Sequence, residues 1–189
     1  MKLGASVLAA IRAQEAGHSD RNRSVRVLGI DTSLRSTGIA VVEATGTSMA
    51  YIDYRPVKNP AKRPLSECLL HLADTLTNYI AEFKPDEVAV EGIFFFHNAK
   101  SALLLGHARG TLISVCAKAN LPTYEYSPTR IKQAVTGSGR ATKDQIQRMM
   151  MRCLNLPALP QEDAADALAI AITHLHNRSS IAALAPKQL

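Results

Sequence analysis

Tryptophan is absent from this 189-residue chain, and four Phe and five Tyr are its whole aromatic complement, so an architecture organised around stacked rings is not expected. Cysteine is scarce as well. Cys68, Cys116 and Cys153 are odd in number, widely spaced and set in apolar or helical stretches, which excludes a disulfide framework and reads as reduced, mostly buried thiols. No Cys/His grouping has the spacing of a zinc site. Nor is there an apolar run of about 18 residues, the length needed to span a bilayer. The run Ala5–Ile11 is too short for a signal peptide and lacks a credible cleavage site. A cytoplasmic protein with no membrane partner is the expectation.

What is present is an ordinary globular composition, 47% hydrophobic and 20% charged, at a length that suits one domain. The net charge of +6 is unevenly spread. Residues 1–26 hold five Lys/Arg against two acids, and the remaining seventeen against fourteen give the body only a mildly basic balance. That permits a polyanionic partner without demanding one, since what matters is whether the basic residues share a face. The chain divides into a poorly ordered extension over 1–24, a domain over 25–177 and a tail over 178–189.

Val25 to Asp31 reads as a strand ending in an acid, Thr37–Val42 as a second strand and Met49–Val57 as a third, joined to the second by a hairpin. Apolar residues at 65, 69, 72, 76, 80 and 83 follow helical spacing, and Lys84-Pro85-Asp86 stops that helix. A short buried strand from Glu87 then ends at Glu91. Further elements are a long helix over Ala99–Ala119, a strand over Thr123–Tyr126 and a helix opened by Ser127-Pro128. Two last helices follow, Lys143–Leu154 capped by Thr142 and Glu162–His176. Hairpins followed by alternating helices and strands imply an α/β domain, a five-stranded mixed sheet with helices on both faces. If the first and fourth strands are parallel, Asp31 and Glu91 end at the same sheet edge.

The last helix opens Glu162-Asp163-Ala164-Ala165-Asp166, followed by an apolar stripe of Ala165, Leu168, Ala169 and Ile172 that suits a sheet face. Small alanines allow close approach, which carries the first-turn acids toward the strand ends. Gathered carboxylates repel and retain protons unless a cation is present. Mg²⁺ fits hard oxygen ligands, and two ions about 3.5–4 Å apart can serve an in-line phosphodiester displacement. Acids are also favoured at any helix N-terminus by the macrodipole alone. Spacing leaves open whether Asp163/Asp166 or Glu162/Asp166 is the working pair.

The motifs Val27-Leu28-Gly29-Ile30-Asp31, Val88-Ala89-Val90-Glu91 with Phe94, Asn98-Ala99-Lys100-Ser101-Ala102 through Gly106-His107-Ala108-Arg109-Gly110, Lys132-Gln133-Ala134-Val135 with Gly137 and Gly139, and Asp163 through Ala171 occur in order. In these the chain resembles the RuvC family of Holliday-junction resolvases, over roughly residues 26–177. The resemblance implies an RNase H-like fold and a two-fold homodimer. It also implies paired symmetric nicks in a four-way DNA junction that leave 5′-phosphate and 3′-hydroxyl ends, and a branch-migration motor as partner. It assigns the metal-holding acids to Asp31, Glu91, Asp163 and Asp166, which decides against Glu162, with two Mg²⁺ expected and Mn²⁺ as a substitute. Functional basic residues fall on Lys132 and Lys143. The family's Pro-Gly after the first acid is replaced by Thr32-Ser33.

Read from the residues, Lys143 near the acids can stabilise charge on the transferring phosphate, and Lys132 can position backbone. Arg130 and Arg140 add salt-dependent affinity. Phe94, Phe95 and Phe96 cannot all point inward, and Phe94 or Phe95 is expected to stack on junction bases. Arg109 is expected to organise helix packing or the dimer, and His174 to be structural or solvated. Competing readings are an RNA-processing relative and a non-catalytic scaffold protein of tRNA modification. The scaffold reading has no use for Glu91 or the Asp163/Asp166 pair.

Overall fold

A strand buried on both faces needs cover on both, and the first strand of this chain is of that kind. The computed structural model describes residues 24–92, 98–178 and 187–189. β1 (Val25–Asp31) pairs antiparallel with β2 (Ser36–Thr45), and β2 pairs antiparallel with β3 (Ser48–Lys58). On its other edge β1 is parallel to β4 (Glu87–Glu91), which is parallel to β5 (Thr123–Tyr126). The five-stranded mixed sheet expected from the sequence is thus present, and a sixth strand extends it. β6 (Lys187–Gln188) lies in the stretch read as a tail and pairs antiparallel with Tyr124 and Glu125. Two residues carry no periodicity, so the sequence offered no sign of it. The extension before residue 24 and the run Phe94-Phe95-Phe96 lie outside the described residues.

Alternation divides the sheet between two cores. Leu28, Ile30, Ile39, Val41, Val88 and Val90 face α1 (Leu65–Phe83) and α2 (Ala99–Lys118). Val25, Val27, Ala40, Val42 and Ala89 face α3 (Pro128–Thr136), α4 (Lys143–Cys153) and α5 (Glu162–Asn177). Local signals fix the helix ends. The Asn98 side chain accepts from the Lys100 and Ser101 N–H groups, Pro128 takes an early position behind the Ser127 cap, and Thr142 forms a capping box with Gln145. Left-handed Lys84 and Gly137 close α1 and α3.

α5 is buried almost all round, against the sheet on one side and α3 and α4 on others. A lane of small residues, Ala40, Gly29 and Ala89, crosses β2, β1 and β4 beneath it. A methyl group on Gly29 would lie 2.0 Å from the Ala167 carbonyl oxygen, and one on Gly38 would lie 1.9 Å from the Asp163 carbonyl oxygen. Residues 163, 167 and 171, one row at four-residue spacing, are therefore the part of α5 seated deepest on β1 and β2. The far end is tied by a buried chain: the Tyr126 hydroxyl is 2.7 Å from His174 Nδ1, and His174 Nε2 is 2.6 Å from Glu87. Donation by the hydroxyl to Nδ1 and by Nε2–H to the carboxylate satisfies every member.

Gly29→Ala should therefore cost about 1–3 kcal/mol or more, because the obstacle is helix backbone that no rotamer change removes. Within a single protomer, Gly106→Ala on α2, where an added methyl meets nothing within 4 Å, should be neutral or stabilising by up to about 1 kcal/mol from helix propensity. Urea melts of both variants check this; equal destabilisation would mean that the seat of α5 is not tight.

Candidate active site

Parallel strands end at the same sheet edge, and the register pairs Ile30 with Val90, so Asp31 and Glu91 leave β1 and β4 side by side. The first turn of α5 reaches that edge because Gly38 receives the Asp163 carbonyl. Asp163 is anchored a second time: one of its carboxylate oxygens, Oδ2, accepts a hydrogen bond from the Ser36 hydroxyl at the start of β2. All four expected acids thus meet at one edge, each half-buried.

Their charges act on one another. Burial, followed by the negative charges of Asp166, Glu91 and Asp163, raises the Asp31 carboxyl to about 8. Burial raises Asp166 to about 6, with Lys143 opposing and Asp163 adding to the shift. Burial and Asp166 also raise Glu91, against the positive charges of Lys132, Arg109 and Lys143. Among the described residues no three such groups form a finished metal-ligand cluster. The donor set is nonetheless one of hard carboxylate oxygens under mutual repulsion, which a divalent cation would relieve.

The cationic candidates divide. Lys143 and Lys132 lie close enough for their charges to act on Asp166 and Glu91. Lys143 Nζ is 2.8 Å from Glu162 Oε2, with both side chains largely exposed. Glu162, the acid set aside above, thus holds the lysine. Arg140 is exposed in the turn before α4. The head group of Arg130 is 2.6 Å from Asn177 and lies over the Tyr126 ring, near the end of α5 remote from Asp163. Phe94 and Phe95 lie outside the described residues.

Arg109 does more than pack helices. Its buried guanidinium reaches from α2 to the Glu91 carbonyl and to the Glu125 carboxylate of β5, bracing the strand end that carries Glu91. Ser36 went unnoticed in the sequence because it sits in no apolar period and 127 residues from its partner. His174 is structural, held between Tyr126 and Glu87. Thr32, which directly follows Asp31, has a buried hydroxyl with no hydrogen-bond partner among the described residues.

Comparison with known proteins bears on the family and the fold. A family model described as crossover junction endodeoxyribonuclease RuvC matches residues 27–174. A crossover junction endodeoxyribonuclease RuvC from Shewanella sp. (strain W3-18-1) is 46% identical over 158 residues, 84% of this chain and 91% of the relative. One from Dechloromonas aromatica is 45% identical over 160 residues, 85% and 89% of the two chains. The solved structure of Thermus thermophilus RuvC in complex with Holliday junction substrate is similar with a TM-score of 0.80 at 30% identity, covering 87% of this chain and 99% of that one.

The raised Asp31 carboxyl has a consequence for stability. A group that binds its proton more tightly when folded favours folding at low pH, and its contribution turns unfavourable as pH climbs from the unfolded value of 3.8 toward about 8. In metal-free buffer Asp31→Asn should therefore be more stable than the parent at pH 8, by about 1–3 kcal/mol, with the advantage vanishing near pH 4. Urea melts in EDTA at the two pH values test this. A variant less stable than the parent at pH 8 would show that Asp31 is not under charge strain.

Proposed function

The chain belongs to the RuvC family of crossover junction endodeoxyribonucleases, and from that premise we propose that it resolves four-way DNA junctions by paired, symmetric hydrolysis of phosphodiester bonds. The observation that carries this reading is the meeting of Asp31 and Glu91, from parallel strands, with Asp163 and Asp166, from a helix seated on glycine. A scaffold protein has no use for such a cluster, which raises the proton affinity of its own members.

Asp31, Glu91, Asp163 and Asp166 are the groups that would hold divalent cations, Mg²⁺ first and Mn²⁺ as a substitute. When bound, two such ions supply charge stabilisation for the attacking and leaving oxygens of an in-line displacement, with 5′-phosphate and 3′-hydroxyl ends as products. The chain's own basic residues complete the work. Lys143 exchanges the Glu162 carboxylate for a phosphate oxygen, at small cost because an exposed ion pair contributes about 0–1 kcal/mol. Lys132 orients the strand backbone, Arg140 adds phosphate contacts from the adjoining turn, and Phe94 or Phe95 stacks on unpaired bases. Arg130 contributes at most at the other end of α5.

Two nicks related by symmetry require two such sites. The face of α2 offers a seat for a second copy: Gly106 and Gly110 leave open space on the helix, beside a groove of about 550 Å³ lined also by Ala73, His107, Thr111 and Lys118. A two-fold contact there places the same patch on itself. A branch-migration motor on the same junction is the expected partner, and an intracellular setting follows from that substrate. No helix among the described residues is long and apolar enough to cross a membrane.

Replacing Asp166 with Asn keeps size and removes charge. Metal-free binding to a mobile four-way junction should be retained or strengthened, while single-turnover cleavage falls by about 100-fold or more, as expected for loss of an interaction made mainly in the transition state. Glu162→Gln unties Lys143 but leaves the four acids in place, and should cleave within about threefold of the parent. Equal loss in both variants, or equal cutting of linear duplex and junction by the parent, overturns the reading.

A further inference from the structure

The segment joining β1 to β2 is held more firmly than a surface loop of its length requires. The Thr37 hydroxyl donates to the Ser33 carbonyl and accepts from the Ser33 N–H at 3.3 Å. Buried Asn59 donates its backbone N–H to the Arg35 carbonyl at 2.9 Å and its side-chain amide to the Leu34 carbonyl at 2.9 Å. Three consecutive residues before β2, Ser33 to Arg35, are thus held by Thr37 on one side and Asn59 on the other, and the next side chain is Ser36, whose hydroxyl donates to Asp163 Oδ2. Ser36 and Gly38 are two apart on a strand and share a face, the face that α5 covers. Gly38 takes the Asp163 main chain and Ser36 takes its carboxylate.

We infer that Ser36 is a positioning residue for Asp163, fixing one carboxylate oxygen so that the other is presented to a divalent cation. Three features support the assignment. The hydroxyl is neutral, so it orients the carboxylate without cancelling the negative charge that attracts the cation. The lysine nearest in function does not compete for Asp163, because Lys143 is bonded to Glu162. The helix offers no capping side chain of its own, Gln161 making no side-chain cap bond, so the hydrogen bond that fixes this first-turn acid comes from the sheet. Groups that hold a ligand carboxylate from behind commonly change metal affinity when removed.

The inference rests on the proposal that Asp163 is one of the cation-holding acids, and the experiment separates the two. Mn²⁺ alone is titrated into the full chain in the absence of DNA, with free Mn²⁺ read by electron paramagnetic resonance. Ser36→Ala should weaken Mn²⁺ binding by about 10-fold or more, leave the metal-free melting temperature within about 2 °C, and recover most cleavage at saturating metal. Ser36→Thr, which keeps the hydroxyl, should bind like the parent. Asp163→Asn run in parallel should weaken binding at least as much as Ser36→Ala. If Asp163→Asn weakens binding and Ser36→Ala does not, the inference fails while the metal site stands. If neither weakens it, Asp163 is not a cation ligand and both fail. Equal weakening in Ser36→Ala and Ser36→Thr, with lowered melting in both, would assign the position to packing and overturn the inference.

Discussion

The contact on which the remaining structure depends is the close approach of α5 to β1 and β2. A helix packed on a sheet through ordinary side chains stands well clear of it, and its first-turn acids would stop short of the strand ends. Here the helix presents Ala167 and Ala171 to a glycine in β1, and its own backbone at Asp163 to a glycine in β2. The benefit is geometric rather than energetic, since glycine weakens a strand and alanine buries little apolar area. Stability must come from elsewhere, and it does: the larger side chains of both cores, with Leu28, Ile30, Ile39 and Val41 on one face and Leu168, Ile170 and Ile172 on the other, are fully buried or nearly so.

That arrangement concentrates negative charge at one edge, and the fold opposes the resulting repulsion by bracing backbone. Glu91 is held through its carbonyl by Arg109, whose other bonds go to Glu125. Asp163 is held through its carbonyl by the Gly38 seat and through its carboxylate by a neutral hydroxyl. The Ser36 hydroxyl leaves the Asp163 charge uncompensated, and the Arg109 guanidinium, bound to the Glu91 carbonyl, offsets the Glu91 charge only in part. Of the two lysines whose charges reach the acids, Lys143 is engaged by Glu162 on the exposed side, available to an incoming anion at little cost.

Much of this was legible in the sequence, for a definable reason. Periodicity marks elements, and capping residues mark their ends, so the strand ending at Asp31, the Thr142 cap and Pro128 at its helix start were all readable locally. The shared edge of Asp31 and Glu91 was readable only on condition that their strands are parallel, and the register of β1 and β4 meets that condition. What could not be read was the pairing of distant positions. A glycine in a strand looks like a weakness until the helix above it is known. Ser36 looks like a turn residue, Glu162 like an ordinary first-turn acid, and Arg109 like a helix-packing residue. The apolar stripe read from α5 is buried as expected, but the deepest row runs through 163, 167 and 171, a distinction that alanine-rich sequence does not make.

The two ends of α5 are treated oppositely, and that asymmetry makes physical sense of the buried polar chain. At the N-terminal end, like charges push the helix away from the strands. At the C-terminal end, His174 is locked between Tyr126 and Glu87, and the Glu87 carboxyl is held well below its ordinary range by the His174 hydrogen bond and then by Arg178. A buried hydrogen-bonded chain with every member satisfied strongly favours a single arrangement, because breaking it strands polar groups in low dielectric. Glu87 and Glu91 belong to the same five-residue strand, so β4 carries the anchor at its start and a candidate ligand at its end. Displacement of α5 relative to β4 would break the first while misplacing the second. The register of helix and strand is therefore fixed by chemistry remote from the acids, which leaves the acids free to remain electrostatically unsatisfied.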